Sequence, residues 1–275
     1  MSSMMHNPFK KKSISWSLVR RARLVCHRFP GLWMGADQRR QLQADLESIL
    51  LRRLQEIPRY GLFAPEGDAL SQRYVSIIYG ADGTPLAFGT VKPVLAQDAG
   101  RPVRTALLGL AAVDAQIESP LPLFSLFFAS LPWMFVGGGC RRFAVAACTM
   151  HPALVELITR QLSDVYPDYR RHGQPSQAQL AVARHLLEHH GLDVGYEQGS
   201  NFEADGFVLR NTYSGACAAL RRDFDGLRQA GDQRCNVYCQ ATLDYVRGDD
   251  LMLIGWVDWS ALCRNLPLAL RRSAR

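Results

Sequence analysis

Residues 103–113 read VRTALLGLAAV, an apolar run whose one charge is Arg104. A segment this apolar and this short suits a central strand buried on both faces. Working outward toward the N-terminus, Tyr74–Tyr79 reads YVSIIY and Pro85–Val91 reads PLAFGTV, with GADGT at 80–84 between them. Asp82-Gly83 between β-prone runs supplies the positive φ angles of a tight antiparallel turn, so the pair predicts a hairpin. A loop at 97–102 joins that hairpin to the central strand. Ahead of it, Leu42, Leu46, Ile49, Leu50, Leu54 and Ile57 recur at three- and four-residue intervals. They share one face of a predicted helix over 37–57, with Asp37 placed to cap it and Pro58 following its end.

On the C-terminal side, residues 119–139 read SPLPLFSLFFASLPWMFVGGG and carry no charge. The length is close to the ~20 residues of a membrane-spanning helix. Pro120, Pro122 and Pro132 interrupt the run, leaving a predicted core helix over 123–131 that is too short to span, with Gly137–Gly139 as a flexible connection. A strand at 142–148, a helix at 151–162, a polar loop at 166–175 and a helix at 177–190 follow. Short strand signals appear at 207–209 and 251–257. This order belongs to an α/β or α+β sheet protein rather than a bundle.

The chain has 275 residues and a formal charge of +7. Seven bases precede the first acid, Asp37, and four follow the last, Asp258, so the tails carry more than the whole net charge and the body is mildly acidic. A nucleic-acid binder carries its bases along a folded face, and that partner is not expected here. Basic tails beside an apolar run do suit a membrane surface. Seven widely spaced cysteines and no hydrophobic leader at Met1 give the expectation of reduced thiols in a cytoplasm. Cys235 and Cys239 have no second pair at metal-ligand spacing. Cys148 lies in a predicted strand, where a buried thiol is inert unless a base and a positive field activate it. His185 and His189 are spaced i, i+4 without a companion carboxylate motif and read as a solvated helix face.

A helical entry, an antiparallel hairpin, a long central strand, a helix, a second apolar strand and a further helix together resemble the GCN5-related N-acetyltransferase (GNAT) superfamily, in divergent bacterial form. The resemblance covers roughly residues 42–166, and the closing run GDDLMLIGWVDW at 248–259 is similar in tone to the tails of some members. It implies a mixed, mostly antiparallel central sheet flanked by helices, with a C-terminal extension. It also implies that the central strand at 107–113 and its parallel neighbour at 143–148 splay apart to admit the pantetheine arm of an acyl thioester. Family members hold pyrophosphate on backbone N–H groups where the next helix begins, at a turn of Gln or Arg, two residues, Gly, one residue, then Gly or Ala. Here Gln116 matches, Ser119 stands for the first glycine and Leu121 for the last small residue. Pro120 and Pro122 carry no N–H, and Glu118 adds a negative charge. Three readings stay open: a carrier-protein donor with one phosphate, lost catalysis, or a rebuilt loop presenting amides from Ser119, Leu121 and Leu123.

Acyl transfer to an amine needs a base, an oxyanion-stabilising N–H and an acid for the leaving thiolate. Asp114 and Glu118, at the exit of the central strand, suit the base, and suit equally a turn and a helix cap. His151 precedes Pro152 at a helix start, as a base or as an N-cap. Tyr166 stands where the resemblance puts the acid, or packs on Pro167. Val113, Gln116, Ser119 and Leu121 are the implied donor-binding residues. The implied organisation is a basic segment at 1–35, an acyltransferase core at 36–166 and an extension at 167–275. The implied activity is transfer from acyl-CoA or an acyl-carrier thioester to an unidentified amine, with no metal. The alternative is a noncatalytic protein that binds a partner protein or an anionic surface.

Overall fold

A computed structural model describes residues 12–18, 22–64, 68–114, 117, 121–138, 142–213 and 215–258. In chain order these form β1 (Ser13–Ser17), β2 (Arg23–Arg28), α1 (Ala36–Leu51), β3 (Tyr74–Tyr79), β4 (Pro85–Asp98) and β5 (Arg101–Val113). Next come α2 (Leu121–Phe128), α3 (Leu131–Gly138), β6 (Arg142–Thr149), α4 (Pro152–Gln161), β7 (Ser163–Tyr166) and α5 (Gln177–His190). The chain closes with β8 (Asn201–Glu203), β9 (Val208–Arg210), α6 (Gln233–Thr242) and β10 (Asp250–Asp258). The fold is mixed α+β. One sheet runs β1-β2-β3-β4-β5-β6-β10-β9-β8, and β7 shares the outer edge of β10 with β9. Among the described pairings only β5 with β6 is parallel.

Alternation along the strands sorts side chains onto two faces. Tyr74, Ile78, Val91, Ala106 and Val145 pack with α2 and α3, while Val75, Ile77, Phe88 and Leu110 pack with α1 on the other face. Farther along the sheet, Leu251 and Leu253 meet α4 and α6, whereas Leu107, Ala146, Met252 and Ile254 meet α5. The β3–β4 hairpin turns as the sequence predicts: Gly83 sits at φ +86°, and the Thr84 N–H donates to Asp82 Oδ1 at 3.0 Å.

Several expectations are corrected. The first helix ends at Leu51 rather than 57, and its N-cap is Gly35, with Asp37 inside the first turn. The apolar run makes two helices rather than one. Ser130 Oγ donates to Phe127 O at 2.9 Å where α2 ends, and Pro132 lies at the second position of α3, where a missing N–H costs nothing. Gly137 and Gly138 belong to α3 instead of a connection. Among the described residues no helix is long and apolar enough to cross a membrane. Within the basic segment at 1–35, Ser13–Ser17 and Arg23–Arg28 pair as antiparallel strands and extend the sheet through Val25↔Ile77 and its neighbouring pairs.

β5 and β6 run together only from Thr105↔Ala144 to Leu108↔Ala147. Beyond that point β5 carries a bulge: Gly89 pairs with Ala111 and Val91 with Leu108, so Gly109 and Leu110 together oppose Thr90. A bulge bends its strand and sharpens the twist. β5 therefore turns away from β6, which continues alongside β10 to Thr149.

Candidate functional site

The divergence opens the middle of the sheet. Leu108, Gly109, Ala111 and Ala112 are partly exposed although β5 has strands on both sides, and Cys148 is partly exposed between buried Ala147 and buried Thr149. Gly109 is required at the bend, because a β-carbon there would lie 2.5 Å from Thr90 Oγ1. On one face, Leu108, Phe127, Phe128, Val145, Ile158 and Leu162 line an apolar cavity of about 40 Å³ between α2, α3 and α4.

The other face is polar. Tyr60 lies within electrostatic reach of Arg73, Cys148, Cys217 and Asp250, and Asp250 within reach of Cys148, Cys217 and Tyr213. Met252 and Ile254 point toward α5, so Asp250, two and four residues before them on β10, faces the same way. Burial raises the Asp250 carboxyl well above the ordinary carboxylate range, Asp249 adds to this, and a hydrogen bond with Tyr213 only partly opposes it. Its Oδ1 has no hydrogen-bond partner. Burial likewise raises Tyr60 and Tyr213, lifts Cys148 well above a normal thiol and pushes Cys217 up to about 12. Both thiols stay protonated at neutral pH, which sets them apart from activated thiolates. Arg73 is buried. Its Nη2 binds the Asp193 carboxylate and donates to Gly61 O at 3.2 Å, while Nε and Nη1 have no partner.

Of the residues named from the sequence, His151 comes to this opening. It is the N-cap of α4 without a side-chain cap, and its N–H donates to Thr149 Oγ1 at 3.1 Å. Burial, with Arg222 and Arg53 nearby, lowers its imidazole to about 4. Arg53 also donates to the Val113 carbonyl at 2.6 Å, so one guanidinium serves both rims of the opening. Asp114 is buried at the end of β5 and pairs through Oδ2 with Arg52 Nε at 2.5 Å. Tyr166 lies on β7 opposite Ile254, roughly 13 Å along β10 from Asp250 at the usual strand rise. Its hydroxyl donates to Asp205 O, and its ring packs edge-on against Phe207. Gln116, Glu118 and Ser119 lie outside the described residues, and Leu121 is the first residue of α2.

Sequence reading missed Asp250, Arg73, Tyr60 and Tyr213. The available signal was the acid pair that opens the apolar run DDLMLIGWV at 249–257. No group of three or more His, Cys, Asp or Glu side chains among the described residues could hold a metal.

No protein-family model and no curated protein sequence matches this chain. Among solved structures, a mutant AtaT toxin bound to the C-terminus of the antitoxin AtaR and to acetyl-CoA is similar over 33% of this chain, at 14% identity and a TM-score of 0.28. The match spans 59% of that structure's own chain.

Proposed function

We propose that this protein is an acyltransferase that takes an acyl group from acyl-CoA or an acyl-carrier thioester and gives it to an amine. The observation that carries the reading is the parting of the parallel strands after Leu108↔Ala147, with partly exposed Leu108, Gly109, Ala111 and Ala112 on one side and Cys148 on the other. In this reading residues 36–166 form the core, and the later strands supply its acceptor side. The donor arm lies along β5 beyond the bulge, where Gly109 and Leu110 share a single partner position on β4. A backbone N–H freed by a bulge suits a carbonyl oxygen that gains charge as the amine attacks.

The amine nitrogen bonds to the thioester carbon, the carbon–sulfur bond breaks, and the amine proton must leave. His151 is uncharged at neutral pH but a weak base at about 4. Asp250 faces the same opening, and because burial raises its carboxyl it can take that proton only when ionised. Asp114 holds Arg52, which supports a positioning role at the rim. Pro120 and Pro122, which carry no N–H, favour a carrier-bound arm with one phosphate over free CoA.

A noncatalytic reading is favoured by one contact, the Arg53 bond that occupies the Val113 carbonyl. Thermal-shift titration and thiol release with acetyl-CoA, a longer acyl-CoA and a loaded carrier protein separate the two. A ligand at a hundred times its dissociation constant adds about 2.7 kcal/mol of stability. Absence of stabilisation by every thioester retires the acyltransferase reading.

A further inference from the structure

We propose that the outer edge of β1 is a docking site for an extended, acidic segment of another protein, which adds to the sheet as a further strand. The inference is independent of the acyltransferase reading, because β1 lies at the end of the sheet, several strands from the opening.

The two ends of the sheet are finished differently. β8 is short, Asn201–Glu203, and Glu203 carries a charge that pairs with Arg210 at 2.6 Å. Short strands and charged side chains close an edge to further pairing. β1 has neither protection. Ser13–Ser17 reads SISWS, with no charge and no proline, and its register with β2 is unbroken. Among the described residues no strand pairs with its other side.

Hydrogen-bond parity identifies the groups that edge presents. The Arg28 N–H donates to Lys12 O at 2.9 Å and the Leu18 N–H to Ala22 O at 2.7 Å, so both ends of the β1–β2 ladder are bonded positions. Bonded positions recur at every second residue of an antiparallel pair, which turns the main chain of Ile14 and Trp16 inward to Cys26 and Leu24. Ser13, Ser15 and Ser17 therefore aim their N–H and C=O groups away from β2. Ser15 and Ser17 are exposed, while Ile14 and Trp16 are half-buried against the core that α2 and α3 cover, which leaves apolar surface beside the edge.

Charge selects the occupant. Lys10, Lys11 and Lys12 precede β1, and Arg20, Arg21 and Arg23 follow it, with no acid before Asp37. Chain connectivity keeps these bases close to the edge, since each residue spans at most ~3.6 Å. A second copy pairing here would bring two such clusters together, which like-charge repulsion opposes. A strand with Asp or Glu at its ends is attracted instead. Its main chain bonds Ser13, Ser15 and Ser17, and its alternate apolar side chains lie beside Ile14 and Trp16.

The test uses the full chain and labelled synthetic peptides of alternating Val and Thr, ended by glutamates or by lysines, in fluorescence anisotropy titrations. The glutamate-ended peptide is expected to bind more than tenfold more tightly than the lysine-ended one, with the advantage shrinking as salt rises. N-methylation of its backbone amides, which removes the donors and keeps the charge, is expected to abolish binding. Ser15→Pro deletes an N–H that β2 does not use, so it is expected to keep the thermal transition and lose more than tenfold of the affinity. In the unaltered chain, hydrogen exchange at Ser13, Ser15 and Ser17 is expected to slow when the peptide binds, a readout that needs no variant. Equal binding of the two peptides, no binding of either, binding that survives N-methylation, or unchanged exchange at these serines overturns the proposal. So does a dimer in sedimentation that Ser15→Pro disperses, because a second copy then fills the edge.

Discussion

Asp249 and Asp250 are adjacent in the chain and opposite in electrostatic state. Burial pushes Asp249 upward, but Arg247 Nη2 at 2.7 Å, Arg210 Nη1 at 2.6 Å and the N–H groups of Asp244 and Asn211 outweigh it and hold the carboxyl at about 2. Asp250 has one tyrosine partner and is raised by burial. The strand's alternation sends the two side chains to opposite faces, one to an arginine cage and the other to the cleft. Carboxyls whose titrations are driven apart in this way are a pattern of acid–base sites.

Asp250→Asn is expected to change the pH dependence of stability. A carboxyl raised in the folded state keeps its proton after the unfolded chain has released its own, so stability falls as pH rises from about 4 toward the folded titration point. The variant lacks that loss. Its stability relative to wild type should grow by at most about 1.4 kcal/mol per pH unit across that window. Urea unfolding at several pH values checks this, and a difference independent of pH counts against a buried, protonated Asp250.

His151 works in the opposite direction. An imidazole lowered to about 4 is protonated in the unfolded chain first, so stability is fully present above about 6.5 and declines as pH falls toward 4. His27, also lowered to about 4 by burial and by Arg23, adds to the same acid limb. NMR titration of the ring protons should place both midpoints near 4. His151→Gln should flatten part of the limb, and His151→Gln with His27→Gln should flatten more.

Gly109→Ala should cost roughly 1–3 kcal/mol, the usual range for forcing a methyl into a packed site. It should also weaken thioester binding, because the bulge shapes the opening. The clashing atom is Thr90 Oγ1, so Thr90→Ala should recover part of the stability in the double variant. A double-mutant cycle by denaturant unfolding reads the coupling, and simple additivity would show that the clash is relieved elsewhere.

Arg52→Ala leaves the Asp114 carboxylate without its 2.5 Å partner and should destabilise the fold by about 1–3 kcal/mol. Asp114→Asn should act mainly on stability. A fall in turnover far beyond its effect on folding, measured on the folded fraction, would return Asp114 to the chemistry.

Most of the sheet was legible because its signals are local. The apolar run at 103–113, the Asp82-Gly83 turn and the periodicity of α1 and α5 each depend on neighbours within a few residues. The α2–α3 break was misread because Pro132 is equally at home ending a helix or starting one, and Ser130 decides between the two by bonding back to Phe127. The N-terminal hairpin was obscured because β2 buries both faces, Leu24 against α2 and α3 and Val25 against α1, which removes the alternation that marks a half-buried strand.

By itself the sequence determined the β3–β4 hairpin, the apolar runs of β5, β6 and β10 and the helical periods of α1 and α5, since backbone preference and hydrophobic period act over short distances. Only the tertiary structure decided what the opening contains. Arg73 meets Asp193 across 120 residues of chain. Asp250 shares its surroundings with Tyr60 and Cys148 because three distant segments converge where β5 bends away. Desolvation and charge depend on distance through space, and no residue spacing encodes that distance.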